Sequence, residues 1–325
     1  MPIENGWIRK NIGVRDPDDV TLMKTTRYLR LSMIALVLGL GTAVVYEHAK
    51  TATPRGGHCW QESISAYYYT PVQSFFVGAL VTIGISLIAL KGNTEVEDIL
   101  LNFAGIFAPF VAFVPTPNIG HCGSVLTDTT NRNLNVGNNV TAMLVMAGAA
   151  FVVLAFLPLW PKLRTKLPKS PGSAKPPVDK VLPVGKFGFG ITFVFYLLVV
   201  FMFIEHRHWF YGNAHPIAAI TMFVFIFLAV VDNAVNLRWS RPVDAHLLNR
   251  YTVVAAAMVI AALVIAGLKG FGHFTYWTIW LEASMIILFG VFWLIQTHEL
   301  WDKGLRPDER PEVTGDGPPG ASEVA

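Results

Sequence analysis

The chain has 325 residues, of which 53% are hydrophobic and only 14% are charged, and its formal net charge is +3. Soluble proteins carry about 25% charged residues, so this composition excludes an ordinary water-soluble globular protein. The small positive charge does not indicate a nucleic-acid partner, because most of the basic residues lie in the segments between apolar stretches.

Eight apolar stretches follow one another along the chain, and a bilayer crossing needs about 20 such residues. Because no water is available to backbone groups inside a bilayer, each stretch is predicted to be a helix. The predicted spans are 30–46, 72–90, 99–114, 136–159, 187–204, 216–235, 252–268 and 274–295. The sequence therefore predicts an all-α fold, an integral membrane bundle of eight transmembrane helices surrounded by membrane lipids.

The distribution of Lys and Arg predicts the orientation of this bundle. If the spans alternate in direction, 20 of the 25 basic residues fall on the side that holds both termini. Basic residues are enriched on the cytoplasmic side of membrane proteins, so both termini are predicted to be cytoplasmic. On this side, Asp232 is expected to form a surface charge pair with Arg238.

Polar segments divide the chain into five parts. Residues 1–29 are predicted to form a cytoplasmic N-terminal segment, and residues 30–160 to hold helices 1–4. The Pro- and Lys-rich residues 161–186 are predicted to be a cytoplasmic linker. Residues 187–296 are predicted to hold helices 5–8, and residues 297–325 to form a largely disordered cytoplasmic tail.

A Glu-His pair ends the first predicted span and recurs at the end of the fifth. The pairs are Glu47-His48 and Glu205-His206. If each half contains four helices, the two Glu-His pairs occupy equivalent positions and indicate a 4+4 parallel repeat about an axis normal to the membrane. A chance match between two unrelated halves is the alternative interpretation.

Histidines are concentrated on the outer side of the predicted topology. Seven of the nine lie there: His48, His58, His121, His206, His208, His215 and His273. Since His and carboxylate side chains are the usual zinc ligands, His206, His208 and His215 are candidate ligands for zinc. The same residue types handle protons in catalysis. The alternative is a set of interfacial histidines within a belt of aromatic residues.

Glu282 lies in the last predicted span, eight residues past Phe274 and thus about 12 Å from the outer surface. An ionisable group at this depth normally faces a protein interior or a wet cavity. We expect it to share an outward-opening cavity with His215, with Ser65 and Glu205 at the rim. These four residues are the candidate catalytic set. The alternative is a protonated glutamate that is hydrogen-bonded to a neighbouring helix.

The only two cysteines, Cys59 and Cys122, both fall in predicted outer loops. An extracytoplasmic compartment is oxidising, so a disulfide between them is predicted. Free thiols or zinc ligands are the alternatives.

Several motifs resemble those of an uncharacterised bacterial family of multi-pass membrane proteins. They are residues 63–71 (SISAYYYTP), 76–80 (FVGAL), 215–219 (HPIAA), 249–251 (NRY), 280–282 (WLE) and 289–294 (FGVFWL). The chain departs from the family pattern at Phe292, where members usually carry Ser, and at Ile295-Gln296, where they carry Lys-Gly. The resemblance implies the multi-pass fold and a place in the bacterial cytoplasmic (plasma) membrane.

The resemblance also implies that Ser65, His215 and Glu282 belong to one shared pattern. No activity is established for the family. One functional hypothesis is a hydrolase or transferase that acts on a lipid or envelope precursor at the outer leaflet, with Glu205 and Glu282 as its acidic members. The alternatives are a proton- or cation-coupled transporter or sensor, and a non-catalytic membrane assembly subunit.

Overall fold

In the part of the chain that the structure describes, eight α-helices form where the sequence is predominantly apolar. A computed structural model describes residues 17–51, 59–117, 122, 129–156, 178–239, 249–272 and 274–301, and these residues form no β-strand. The helices are α1 (Pro17–Lys50), α2 (Gln73–Ala89), α3 (Glu95–Phe113), α4 (Thr129–Phe156), α5 (Val178–Glu205), α6 (Arg207–Trp239), α7 (Arg250–Gly270) and α8 (Trp277–Glu299). A short 3-10 helix, Ser65–Tyr69, precedes α2. The predicted all-α class is confirmed.

Six of these helices contain segments long and apolar enough to cross a membrane. The segments are Met23–Lys50, Glu95–Phe113, Asn131–Ala155, Arg207–Leu237, Arg250–Gly270 and Trp277–Glu299. Large apolar side chains cover their outer surfaces, and Leu38, Met146 and Leu263 are each about two-thirds exposed. A surface of this kind is stable in lipid and unstable in water. The described residues therefore indicate a membrane protein.

The remaining two helices offer shorter apolar segments, Gln73–Ala89 in α2 and Phe189–Glu205 in α5. The helix bounds also differ from the predicted spans. Helix α1 begins at Pro17, so residues 17–29 are helical, and α5 begins at Val178 inside the predicted linker. Apolar content marks where a helix enters the bilayer, and a helix continues beyond that point until a breaker or a cap ends it.

Two helices begin at side-chain caps. Thr94 Oγ1 accepts the backbone N–H of Glu97 at 2.9 Å, which fixes the start of α3 four residues before the predicted span. Asn249 Oδ1 accepts the N–H groups of Tyr251 and Thr252 at the start of α7. Each cap satisfies N–H groups that have no partner within the first helical turn.

The helices pack as a ring with two helices outside it. The ring runs in the order α1, α2, α3, α6, α7 and α8, and it closes because α8 packs against α1. Helix α3 makes the closest contacts, with α2 on one side and α6 on the other. Helices α4 and α5 touch each other and the outer sides of α3 and α6. The predicted 4+4 repeat stays a prediction.

Small residues allow α2 and α3 to approach closely. A Cβ atom on Gly84 would lie 2.8 Å from the carbonyl oxygen of Gly105, and one on Gly105 would lie 2.6 Å from that of Gly84. Pro109 follows Gly105 by four residues within α3 and has no N–H to donate to the Gly105 carbonyl. The two backbones thus meet where a larger side chain has no room.

The loops and helix ends divide the bundle into two ends. We call the end with the Cys59–Cys122 bond the disulfide end. At the other end, Glu97 Oε1 accepts hydrogen bonds from the amides of Asn233 at 2.7 Å and Gln296 at 2.8 Å, and we call it the amide end. Each helix of the ring runs from one end to the other.

The predicted pair of Asp232 with Arg238 stays a prediction, while the described residues show another contact of Asp232. Its Oδ2 accepts the Thr94 hydroxyl at 2.6 Å, so the carboxylate joins α6 to the start of α3. The side chain of Arg238 lies outside the described residues. The sequence did not reveal this contact between Asp232 and Thr94, the residue that caps α3.

Candidate functional site

A cavity of about 690 Å³ lies between α6, α7 and α8 near the disulfide end. The segment that carries the 3-10 helix and the turn after α3 close it on that side, through Ser63, Thr116 and Pro117. Most lining side chains are aliphatic or aromatic. The polar lining side chains are those of Ser63, Thr116, His215, Thr278 and Glu282.

Glu282 holds the start of the 3-10 helix. Its Oε2 accepts the backbone N–H of Ile64 at 2.6 Å and that of Ser65 at 3.3 Å. The next N–H, that of Ala66, donates to Ser63 Oγ at 3.0 Å. The carboxylate and the Ser63 hydroxyl thus satisfy the N–H groups that begin a helix. Glu282 is therefore a structural anchor as well as a cavity-lining group.

His215 lines the same cavity from the first turns of α6. Its side chain is buried, and its Nδ1 lies 2.6 Å from the carbonyl oxygen of Val114 at the end of α3. A carbonyl can only accept a hydrogen bond, so Nδ1 carries the proton. In the neutral ring, Nε2 is then the unprotonated nitrogen, which can accept a proton or a hydrogen bond.

The cavity opens sideways between α6 and α7. Four of its lining residues are also exposed on the outer surface of the bundle: Ile220 and Val224 on α6, and Val259 and Leu263 on α7. Along α6 the lining reaches from Gly212 to Phe227, a rise of about 22 Å at 1.5 Å per residue. The cavity is therefore an elongated apolar space with a polar end, accessible from the side that faces lipid.

The expected catalytic set is only partly assembled. Glu282 and His215 line one cavity. Ser65 is buried beside the Glu282 carboxylate without belonging to the lining, where Ser63 takes its place. Glu205, expected at the rim, is exposed at the end of α5 and does not line the cavity.

The structure does not bring the candidate zinc ligands His206, His208 and His215 together. Among the described residues, no group of three His, Cys, Asp or Glu side chains could hold a metal ion. Helix α6 starts at Arg207, immediately after the single residue that separates it from α5. His206 and His208 are exposed at this corner, whereas His215 is buried two helical turns further along. No step of a reaction is therefore derived through zinc. His58, His121 and His273 lie outside the described residues.

The predicted disulfide is present and braces the segment over the cavity. Cys59 and Cys122 are joined, with their Cα atoms 5.7 Å apart. Gln61 Nε2 donates to the Cys122 carbonyl at 2.5 Å. Trp60 lies between the stacked ring of His48, 3.7 Å away, and the ring of Trp280 on α8. These contacts attach the segment to α1 and α8.

Arg132 is a buried residue whose role was not predicted from the sequence. It is 6% exposed, and its Nη2 donates to the carbonyls of Pro115 at 2.8 Å and Tyr211 at 2.7 Å. It thereby joins the end of α3 and the start of α6, directly behind the wall of the cavity. Its position among asparagines at the start of a span was the only signal in the sequence.

The buried Glu97 at the amide end was also missed. It is 1% exposed, and the backbone and side-chain N–H groups of Asn93 donate to its Oε2 in addition to the two amides on Oε1. The signal was a carboxylate just before one predicted span, together with an Asn near the end of another span and a Gln just after a third. Pairing them required the order of the helices in the ring, which the sequence does not reveal.

No family model matches this chain, and neither a curated protein nor a solved structure is found to be similar to it.

Proposed function

We propose that this protein binds an amphiphilic molecule of the bilayer in the cavity between α6, α7 and α8. The observation that carries the proposal is the combination of a lateral opening, aliphatic walls, and Glu282 and His215 together at one end. Ligand sites typically enclose about 300–1,000 Å³ and combine apolar walls with a few converging polar groups. A hydrocarbon chain would enter between α6 and α7, with its polar head beside Glu282 and His215.

The proposal includes an orientation in the membrane. All eight helices cross, both termini are cytoplasmic, and the disulfide end faces the extracytoplasmic side of a bacterial plasma membrane. The excess of Lys and Arg on the opposite side supports this orientation. The disulfide supports it as well, because disulfides persist in oxidising compartments. The cavity would then receive its ligand from the outer leaflet.

The enzyme form of this proposal is a hydrolase or transferase that acts on a lipid or envelope precursor. His215 supports it, since an unprotonated Nε2 held by the Val114 contact on the opposite nitrogen can act as a general base. The Ser63 hydroxyl lines the cavity and is the serine available there. Such a reaction would need a substrate bond placed between these two groups.

The binding proposal is tested by filling the cavity. Ala262 on α7 lines the cavity, so Ala262→Trp should block it. Ala256 on the same helix is exposed and is not part of the lining, so Ala256→Trp is the matched control. Protein in nanodiscs is titrated with a fluorescent single-chain lipid, and retained lipids are identified by native mass spectrometry.

We expect wild type and Ala256→Trp to bind the probe with equal affinity, and Ala262→Trp to bind it at least about tenfold more weakly, equivalent to about 1.4 kcal/mol. Equal binding by all three proteins would place the probe in the surrounding lipid and would overturn the proposal.

A further inference from the structure

The cavity contains an acidic group that has no counter-charge. Of the lining residues that the structure describes, Glu282 is the only carboxylate, and none is a Lys or Arg. Among the described residues, Glu282 forms no ion pair. The two nearby cations are engaged elsewhere: Arg132 with the carbonyls of Pro115 and Tyr211, and Lys269 with the ring of Trp277, 3.7 Å from its centroid.

The remaining polar groups at this end are rich in hydrogen-bond acceptors. Glu282 commits Oε2 to backbone N–H groups of the 3-10 helix, the Ser65 side chain is a further hydrogen-bond partner of the carboxylate, and the carboxylate lines the cavity. His215 commits Nδ1 to Val114 and keeps Nε2 as an acceptor. Gly212 and Pro216 both line the cavity, and Pro216 has no N–H to give the Gly212 carbonyl its helical hydrogen bond.

We infer that the ligand of this cavity carries a positively charged, hydrogen-bond-donating head group, such as a primary amine on a single hydrocarbon chain. This inference rests on the proposed function and names the class of amphiphile. A carboxylate in a membrane interior normally pairs with a cation or faces water. An ammonium head would supply the missing charge and donate hydrogen bonds to acceptors at this end of the cavity, whereas a phosphate head would be repelled by Glu282.

The test compares three ligands that share one chain: dodecylamine, dodecyl phosphate and dodecyl maltoside. Each displaces the fluorescent probe from protein in nanodiscs of uncharged phosphatidylcholine, with empty nanodiscs as the baseline for partitioning into lipid. Wild type should bind the amine at least about tenfold more tightly than the phosphate, with the neutral maltoside between them.

Glu282→Gln removes the charge and keeps an oxygen that can accept the Ile64 N–H. We expect it to bring the amine and phosphate affinities to within about threefold of each other. Glu205→Gln removes an exposed carboxylate at the same end of the bundle and should leave the tenfold preference unchanged. If Glu282→Gln fails to fold, the order of the three ligands in the wild type still decides the question.

The outcomes separate this inference from the proposed function. If all three ligands bind equally well and Ala262→Trp abolishes their binding, the cavity binds amphiphiles without regard to charge and the inference is wrong. The same conclusion follows if the phosphate binds best. If Ala262→Trp leaves the binding of every ligand unchanged, the proposed function itself fails.

Discussion

Tyr67 and Tyr69 in the 3-10 helix are both buried, yet their hydroxyl groups differ. The Tyr69 hydroxyl donates to the carbonyl of Thr116 at 2.6 Å, which connects the helix to the turn after α3. The Tyr67 hydroxyl is buried and has no hydrogen-bond partner among the described residues. A buried polar group without a partner lowers stability, whereas a satisfied one contributes to it.

We expect Tyr69→Phe to lower the free energy of unfolding by about 1 kcal/mol, because it leaves the Thr116 carbonyl without its donor. Tyr67→Phe should change it by less than about 0.5 kcal/mol or raise it, because no hydrogen bond is lost. Thermal unfolding of the purified protein in detergent measures both. A larger loss for Tyr67→Phe than for Tyr69→Phe would contradict the assigned contacts.

The dependence of stability on alkaline pH provides a second test of Tyr67 and Tyr69. Burial raises the pKa of Tyr67 and that of Tyr69 to about 12. An unfolded tyrosine ionises near pH 10, so above that pH the unfolded state loses protons that the folded state keeps. Stability should therefore fall as the pH rises from about 10 towards 12. Each Phe variant removes one ionising group and should show a shallower fall.

Residue positions along the sequence predicted part of the candidate site. Depth in the last span indicated that Glu282 needs a polar setting, and its position near His215 on the same side was predictable from alternating spans. The hydrogen-bond donors to Glu282 Oε2 were not predictable, because they are backbone N–H groups, which every residue except proline carries. The positions of the candidate zinc ligands were not predictable for a similar reason: the helix corner at His206 leaves His206 and His208 exposed while His215 is buried.

At the scale of helices, the Gly84–Gly105 contact fixes how α2 meets α3. Gly84→Ala would place a Cβ atom against a backbone carbonyl that cannot move independently, so the helices must separate. We expect a loss of about 1–3 kcal/mol in unfolding free energy, measured as a lower Tm.

Gly78→Ala is the matched control on α2, because a Cβ atom there meets nothing within 4 Å. Alanine favours a helix over glycine by up to about 1 kcal/mol, so this variant should be neutral or more stable. Equal destabilisation by both substitutions would mean that α2 tolerates no change of glycine and that the contact with Gly105 is not the cause.

The existence of the helices was predictable from apolar content, but their neighbours were not. Aromatic side chains of α3 and α6 illustrate this: Phe103 and Phe225 stack with ring centroids 5.2 Å apart, although 122 positions separate them along the chain. Apolar residues that face lipid and those that face another helix have the same composition. The sequence alone therefore does not distinguish α3, central in the packing, from α4, on the outside.

At the scale of the whole molecule, the two ends of the bundle differ in structure: one joins the helices and the other contains a cavity. At the amide end, side chains of α3, α6 and α8 meet on the Glu97 carboxylate and hold these helices together. At the disulfide end, the same α6 and α8 border a cavity. The ring is thus fixed at one end and leaves a space for a ligand at the other, next to a segment braced by a disulfide.

The last prediction concerns whether α2 crosses the membrane, because its 17 residues span only about 25 Å at 1.5 Å per residue. Lys91 follows α2 and Asn131 lies in the first turn of α4, and both are exposed. If α3 crosses, these residues lie on opposite sides of the membrane. Helix α2 must then cross as well, because the Cys59–Cys122 bond holds the segment before α2 on the same side as the segment before α4. Lys91→Cys should then react only with membrane-permeant thiol reagents, and Asn131→Cys also with impermeant ones. The native cysteines are joined to each other and give no background. Labelling of Lys91→Cys by an impermeant reagent in intact cells would show that the orientation, or the crossing of α2, is wrong.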